Sequence, residues 1–263
     1  LFEKNDRIGG QFDLAQRIPG KEEFKETLRY FNTMLIKHDV DVRLHTAFEQ
    51  NMIEDYDEVV FSTGVSPRSP KIEGLDHASV LSYPDAIMHP EKIGEKVAII
   101  GAGGIGFDTA TMISQLDADE DYFKFWGIDK DITERGGMMS PSHAPSPRQI
   151  TVLKRSPGKA GKNMGKTTGW AHRAGLKKHG VTFLSSVTYQ KIDDEGIHFE
   201  RKGVLEVLEV DSIIVCAGQV SNRTLYDLVQ GKDNCHLIGG AHEAKGIDAK
   251  RAIAQAYALA LKI

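Results

Sequence analysis

Cysteine is nearly missing from this 263-residue chain: only Cys216 and Cys235 occur, far apart and in no C-x-x-C pair. A local redox disulfide and a cysteine-bound metal are therefore not expected. The ten histidines show no H-x-x-x-H spacing, so no zinc site is expected either. No apolar run approaches the roughly 20 residues that span a bilayer, and the opening residues do not read as a signal peptide. A cytoplasmic location and no membrane partner are the expectation. Excess charge of one sign is also small, a net -4, and that gives no reason to expect nucleic acid as a partner.

What the chain does have is glycine, 26 residues of it, in a composition that is 40% hydrophobic and 27% charged. That balance belongs to an α/β protein with a real core. The glycines concentrate at one organising stretch, Lys96-Val97-Ala98-Ile99-Ile100-Gly101-Ala102-Gly103-Gly104-Ile105-Gly106-Phe107-Asp108. A short apolar run, read as a buried parallel strand, passes directly into G-x-G-x-x-G and a helix-forming segment. This is the context of a dinucleotide fingerprint. Gly101 allows the tight turn, Gly103 and Gly104 let backbone approach a pyrophosphate, and Gly106 lets helix and strand pack closely.

The flanking segments define the organisation. Leu1-Phe2-Glu3-Lys4 reads as the end of a strand that began upstream, and Glu3 stands where an acidic residue holds a ribose hydroxyl. Gly9-Gly10-Gln11 follows as a close-approach turn. A helix is predicted from Lys21 to about His38, with Phe24, Leu28, Phe31 and Leu35 on one buried face, and a strand over 40–44. Asp57 to Gly64, ending Ser62-Thr63-Gly64, recurs in pattern as Asp211 to Gly218, ending Cys216-Ala217-Gly218. Two copies of one device predict two related nucleotide-binding units. The proline-bearing connection over 65–74 suits a link between domains.

After the fingerprint helix, residues 117–148 form a long irregular insertion, so the next strand, 149–153, arrives late. About 20 residues past the fingerprint lie Glu120 and Asp121, inside the insertion and not at a strand end. The strand itself ends in Lys154-Arg155. Cations there pair with a 2′-phosphate, where a carboxylate would reject it, so NADPH is favoured over NADH. The loop Ser156-Pro157-Gly158-Lys159-Ala160-Gly161-Lys162 fails the P-loop register at Ala160, which argues against ATP; Lys166 further on is a candidate phosphate contact. A helix from about Thr168 to Gly180 follows. An antiparallel meander over 187–192, 197–200 and 204–210 is expected to cover one edge of the central domain. A last helix over about 248–261 has Asp248 as its N-cap.

Taken together, Glu3 with Gly9-Gly10-Gln11, Ser62-Thr63-Gly64, the nested fingerprint, Ala217-Gly218-Gln219 and Gly239-Gly240 resemble the tandem module of two-dinucleotide-binding-domain flavoproteins. The stretches 97–109, Pro147-Arg148-Gln149-Ile150, Gly165-Lys166-Thr167-Thr168-Gly169-Trp170, Tyr189-Gln190-Lys191-Ile192-Asp193-Asp194 and 249–255 look more narrowly like the bacterial NADPH-dependent 2,4-dienoyl-CoA reductase family. The likeness spans essentially the whole chain. It implies two Rossmann-like nucleotide-binding domains, an NADP domain (93–210) inserted into a truncated FAD domain (1–92 and 211–263).

The cofactors so implied are FAD and NADPH, with FMN and a 4Fe-4S cluster in an upstream barrel domain that handles a dienoyl-CoA substrate in fatty acid β-oxidation. Position by position, Glu3 matches the ribose-binding carboxylate of the FAD half, Gly10 and Gln11 the double-glycine turn, and Phe48 a backbone contact to adenine. Gly239-Gly240 stands where many relatives have Gly-Asp, which puts the ribityl contact in doubt while leaving the Gly240 N–H. No catalytic acid or base is nominated, because hydride transfer is carried by the cofactors. The rival implied by resemblance is an amine dehydrogenase of the trimethylamine or histamine type, in which the same module binds a nucleotide without NADPH turnover.

Overall fold

The computed structural model describes residues 1–115, 122–162, 164, 165, 167–229 and 231–263. The chain divides into two compact units: Leu1–Gln16, Gly20–Arg68 and Gly218–Ile263 form the first, Arg17–Pro19 and Ser69–Ala217 the second. One unit is thus inserted into the sequence of the other; the strand of one copy of the strand-to-glycine device lies in each, and the glycine of the second copy, Gly218, opens the return to the first unit. Along the chain the first unit contributes helices α1 (Gln11–Ala15) and α2 (Phe24–Lys37) and strands β1 (Val59–Phe61) and β2 (Val65–Pro67). The second follows with β3 (Val80–Ser82), α3 (Tyr83–Met88), β4 (Lys96–Ile100), α4 (Gly104–Ser114), α5 (Tyr122–Trp126), β5 (Gln149–Lys154), α6 (Gly169–Lys178) and β6 (Thr182–Ser185). It continues through β7 (Val187–Asp193), β8 (Gly196–Arg201), β9 (Val204–Leu208) and β10 (Ser212–Val215). The chain then returns to the first unit with β11 (Gln219–Ser221), α7 (Thr224–Asp227), β12 (Cys235–Leu237), α8 (Gly239–His242) and α9 (Ala249–Ala260).

The second unit is built on a parallel sheet of order β3-β10-β4-β5-β6. Its central strands are apolar on both faces, as a parallel sheet covered on both sides requires. Ala98, Ile100, Leu153, Ile213 and Val215 pack with Val187, Ile192, Ile197 and Phe199 of the meander in one core cluster. Side chains alternate along a strand, so Val97, Ile99 and Val152, all fully buried, serve the opposite face, where α4 brings the buried Phe107, Ala110 and Ile113. The meander β7-β8-β9 therefore covers a face of the sheet and not an edge. The reason is that helices supply only one of the two layers an all-apolar strand needs.

Domain boundaries also differ from the expected 92/93 and 210/211. They fall at 68/69 and 217/218, because β3 pairs with β10 and β10 with β4, which makes 80–82 and 212–215 part of the second sheet.

Two of the motifs that carried the resemblance prove to be structural supports within this unit. Arg148 donates from Nε to Gly94 O at 3.2 Å, from Nη1 to Ile113 O at 3.3 Å and from Nη2 to Pro90 O at 3.3 Å. It clamps the last turn of α4, whose orphan carbonyls and negative dipole end favour a cation, to the 90–94 turn. Arg148→Ala should lower stability by about 2–3 kcal/mol through loss of charge-assisted bonds to half-buried carbonyls, read as a lower midpoint in a thermal melt, with Arg148→Lys in between. Tyr189 in turn donates its hydroxyl to Leu153 O at 3.2 Å, fastening the meander to β5, and burial holds that hydroxyl above the ordinary tyrosine range.

In the first unit β1 pairs in parallel with β12, and β2 antiparallel with β11. Its core is Ile53, Val59, Phe61, Val229 and Cys235 with Phe48, Leu225, Tyr226 and Leu237 against them. The predicted helix is present as α2, but it buries no residue fully: Phe24, Leu28 and Leu35 are half-buried and Phe31 is exposed. Helical spacing places apolar residues on one side without fixing how much partner surface that side meets. The strand expected over 40–44 is reduced to one parallel bridge, Phe2 with Arg43, because Asp39 and His45 on either side take left-handed backbone conformations, each with φ 51. No helix among the described residues is long and apolar enough to cross a membrane.

Candidate functional site

Three strand ends meet at the carboxyl edge of the second unit's sheet. Ile100 is in register with Leu153 on one side and Val215 on the other, so Gly101, Lys154 and Cys216 stand level and Ala217 follows beside them. The fingerprint glycines divide there by role. Gly101 has φ 119, and a Cβ on it would lie 2.3 Å from the Cys216 carbonyl oxygen; one on Gly106 would lie 2.0 Å from the Gly101 carbonyl oxygen. Both are glycine because the protein's own backbone leaves no room. Gly103 and Gly104 are the opposite case, since a Cβ on either meets nothing within 4 Å. What they keep clear is space outside the protein.

Gly103 is the N-cap of α4, and no acidic residue occupies the first turn. The amides of that turn have no partner within the helix and point, with the positive end of its dipole, at the space the glycines leave open. A pyrophosphate fits this arrangement. Lys154 and Arg155, at the end of β5, take different parts. The Lys154 ammonium donates to Ser156 O at 2.9 Å and Pro157 O at 2.5 Å and so holds its own loop in shape. Arg155 is exposed and makes no hydrogen bond or ion pair with the described residues; its charge acts on the neighbouring Tyr189 hydroxyl. Lys166 lies outside the described residues.

Cys216 is fully buried beside this turn, where desolvation pushes its thiol up to about 12 and its Sγ lies 3.7 Å from Thr109 Oγ1. Cys235 is buried in the other unit. Neither is a reactive thiolate, and the chain supplies no redox disulfide.

The first unit gathers its own glycines at the carboxyl end of β1 and β12. Ile238 donates its amide to Phe61 O at 3.2 Å, and a Cβ on Gly240 would lie 2.7 Å from Val65 Cγ1 and 3.3 Å from the Gly64 carbonyl carbon. That contact favours glycine at 240, since an aspartate there would have to displace the Val65 side chain and press on the Gly64 backbone. Gly64 has φ 70 and faces open space; Thr63 donates its hydroxyl to Asn222 O at 2.5 Å. Gln11 accepts from Gln219 Nε2 at 3.2 Å, next to Gly10, which heads α1 with φ 50. Gly218, with φ 103, lies against the Arg68 guanidinium.

Glu3 receives the Asn5 amide at 2.9 Å and the Asn5 side chain at 2.7 Å on one carboxylate oxygen. Phe48 is half-buried and turns its ring onto Phe2, with centroids 5.1 Å apart. Sequence reasoning did not foresee Gln255, whose Oε1 accepts the Gly239 amide at 2.8 Å and so fixes the 239–240 turn. Its signal was present all the same, since Gln255 closes the 249–255 stretch that contributed to the resemblance.

Among the described residues, Asp193, Glu195 and His198 group as a metal site would. Lys191 Nζ stands 2.6 Å and His198 Nε2 2.7 Å from the Asp193 carboxylate, whose pKa they depress strongly. These contacts tie the β7–β8 turn together.

The family model described as pyridine nucleotide-disulphide oxidoreductase matches residues 32–239. The chain belongs to this family. The family implies FAD and a nicotinamide nucleotide as cofactors, and this chain carries no C-x-x-C pair. Its relatives include reductases and an N,N-dimethylglycine/sarcosine dehydrogenase of Chromohalobacter salexigens. It is 28% identical to a metal reductase of Desulforamulus reducens over 270 residues, covering 100% of this chain and 40% of that protein. It is 29% identical to a cinnamate reductase of Clostridium sporogenes over 271 residues, covering 100% of this chain and 35% of that one. The solved complex of 2-naphthoyl-CoA reductase with 2-naphthoyl-CoA superposes on all of it with a TM-score of 0.81 at 25% identity, and the match covers 36% of that chain. The chain thus spans well under half the length of each of these three proteins. It is a flavoprotein oxidoreductase module.

Proposed function

We propose that this chain is the FAD- and NADPH-binding reductase module of a 2,4-dienoyl-CoA reductase, taking electrons from NADPH for the reduction of a conjugated acyl thioester. The observation that carries the reading is the pairing of an open, glycine-lined helix start with Arg155, a cation with no carboxylate partner among the described residues, at the same sheet edge. When bound, the nicotinamide and the flavin supply hydride chemistry themselves. The chain's residues bind and orient. Gly103 and Gly104 admit the pyrophosphate to the amides of α4, and Arg155 takes the 2′-phosphate. In the first unit Glu3 holds the ribose hydroxyls of the flavin nucleotide, and the Gly240 amide, in the first turn of α8, is left to donate.

The reduction of the thioester, with its FMN and 4Fe-4S cluster, belongs in this reading to the portion of the protein outside these residues. Two buried cysteines in different units support electron delivery that does not pass through a thiol pair.

The test uses the full-length protein supplied with FAD. It should oxidise NADPH with ferricyanide as acceptor, and again with a 2,4-dienoyl-CoA replacing the dye. Dye reduction without thioester reduction would overturn the substrate. Absence of NADPH oxidation alongside tight ADP binding would overturn the reductase and leave a nucleotide-binding structural module of the amine dehydrogenase kind.

A further inference from the structure

One aromatic side chain of the second unit stays open to solvent to a degree that its packing does not require. The loop after Arg155 runs back along the fingerprint: the Gly161 amide donates to Ala102 O at 3.1 Å, and Arg173 Nη1 of α6 donates to Gly161 O at 3.2 Å. The Gly169 amide donates to Gly165 O at 2.8 Å, and Met164 fills the space between Gly161 and Gly169. These contacts join α6 to the loop that follows Arg155 and, through Gly161, to Ala102 of the fingerprint turn. The second residue of that helix is Trp170.

Trp170 is 61% exposed, although an indole is the largest apolar group a chain can bury. Its ring partner is Trp126, met edge-on with centroids 6.2 Å apart at 61°. Trp126 itself is half-buried and lies beneath the Lys178 ammonium, 5.5 Å from the ring centroid. It belongs to the cluster in which Phe125 stacks on His179 at 5.0 Å. A tryptophan kept only to lock the 122–143 segment onto α6 would be turned inward as Trp126 is. Trp170 instead meets Trp126 in a tilted, edge-type contact and keeps most of its surface open, where a second flat ring can be received.

We propose that Trp170 is the platform on which the adenine of the pyridine nucleotide stacks, with Arg155 taking the phosphate on the adjoining ribose. The inference rests on the nucleotide site proposed above and names the residue that recognises the base. Stacking uses the π-face that every purine offers, so the platform contributes affinity for the adenosine half of the nucleotide and leaves the nicotinamide half alone.

The probes are 2′,5′-ADP, which carries the adenosine half, and reduced nicotinamide mononucleotide, which lacks it. In the full-length FAD-loaded protein, Trp170→Ala should weaken 2′,5′-ADP about tenfold by calorimetric titration, and Trp170→Phe should restore most of the loss. The ratio of kcat/KM for NADPH to that for reduced nicotinamide mononucleotide should fall by the same factor. Wild-type affinity for 2′,5′-ADP in Trp170→Ala, or equal losses with both donors, would overturn the platform and leave the nucleotide site standing. Failure of the unaltered protein to bind 2′,5′-ADP would overturn the nucleotide site itself.

Discussion

Gly106→Ala should abolish nucleotide binding by breaking the site's framework, and Gly103→Ala should abolish it with the framework intact. A methyl on Gly106 would sit 2.0 Å from the Gly101 carbonyl oxygen and 3.0 Å from its carbonyl carbon. Both atoms are backbone in the turn that β4 and α4 share, so no side-chain rotation relieves the clash and the helix must move off the sheet. Overpacking of a tight core costs about 1–3 kcal/mol and occasionally more, and a rigid backbone contact belongs at the upper end. Such a loss is expected to lower the melting midpoint by roughly 6–12 °C.

Gly103 differs on both counts. Its φ of -88 suits any residue, and nothing lies within 4 Å of an added Cβ. Alanine there should leave the melting curve in place while projecting a methyl into the space assigned to the pyrophosphate. Thermal melting followed by calorimetric titration with NADPH separates the two variants. Normal binding by Gly103→Ala would show that the open side of the turn is not where the nucleotide lies.

The second large effect concerns the choice of coenzyme. Arg155→Glu should reduce the preference for NADPH over NADH, expressed as the ratio of kcat/KM values, by about a hundredfold or more, and Arg155→Ala by about tenfold. A charge-assisted hydrogen bond contributes ~1.5–3 kcal/mol, and each 1.4 kcal/mol is a factor of ten. The glutamate adds repulsion of a dianionic phosphate to the lost attraction. Lys154→Ala provides the contrast: its ammonium holds the carbonyls of Ser156 and Pro157, so its loss should loosen the loop and raise KM for both coenzymes together. An unchanged ratio in Arg155→Ala would remove the basis for NADPH.

Several features of the site were legible because their physics is local. A strand that runs into G-x-G-x-x-G and then a helix carries its own geometry, and β4, Gly101 and α4 fall where the pattern puts them. The repeated strand ending in a small residue and glycine marked the two units for the same reason. Illegible features were those set by partners distant in sequence. Arg148 reads as a surface cation until the 90–94 turn and the end of α4 are placed around it. Lys154 and Arg155 are two like charges in sequence, and only the path of the 156–158 backbone assigns one to the loop and leaves the other outward.

By itself, then, the sequence determined that this protein carries two glycine-turn nucleotide units, a cationic strand end and no thiol pair, because backbone freedom at glycine and side-chain charge are properties of residues and their immediate neighbours. Which glycines are demanded by the protein's own backbone and which keep space open was decided by tertiary structure, as was the meander's place on a face of the sheet. Those outcomes depend on the atoms that arrive from Cys216, Val187 and Phe199, a hundred residues or so along the chain from the turn and strand they meet. Distance through space at that separation is a property of the folded chain alone.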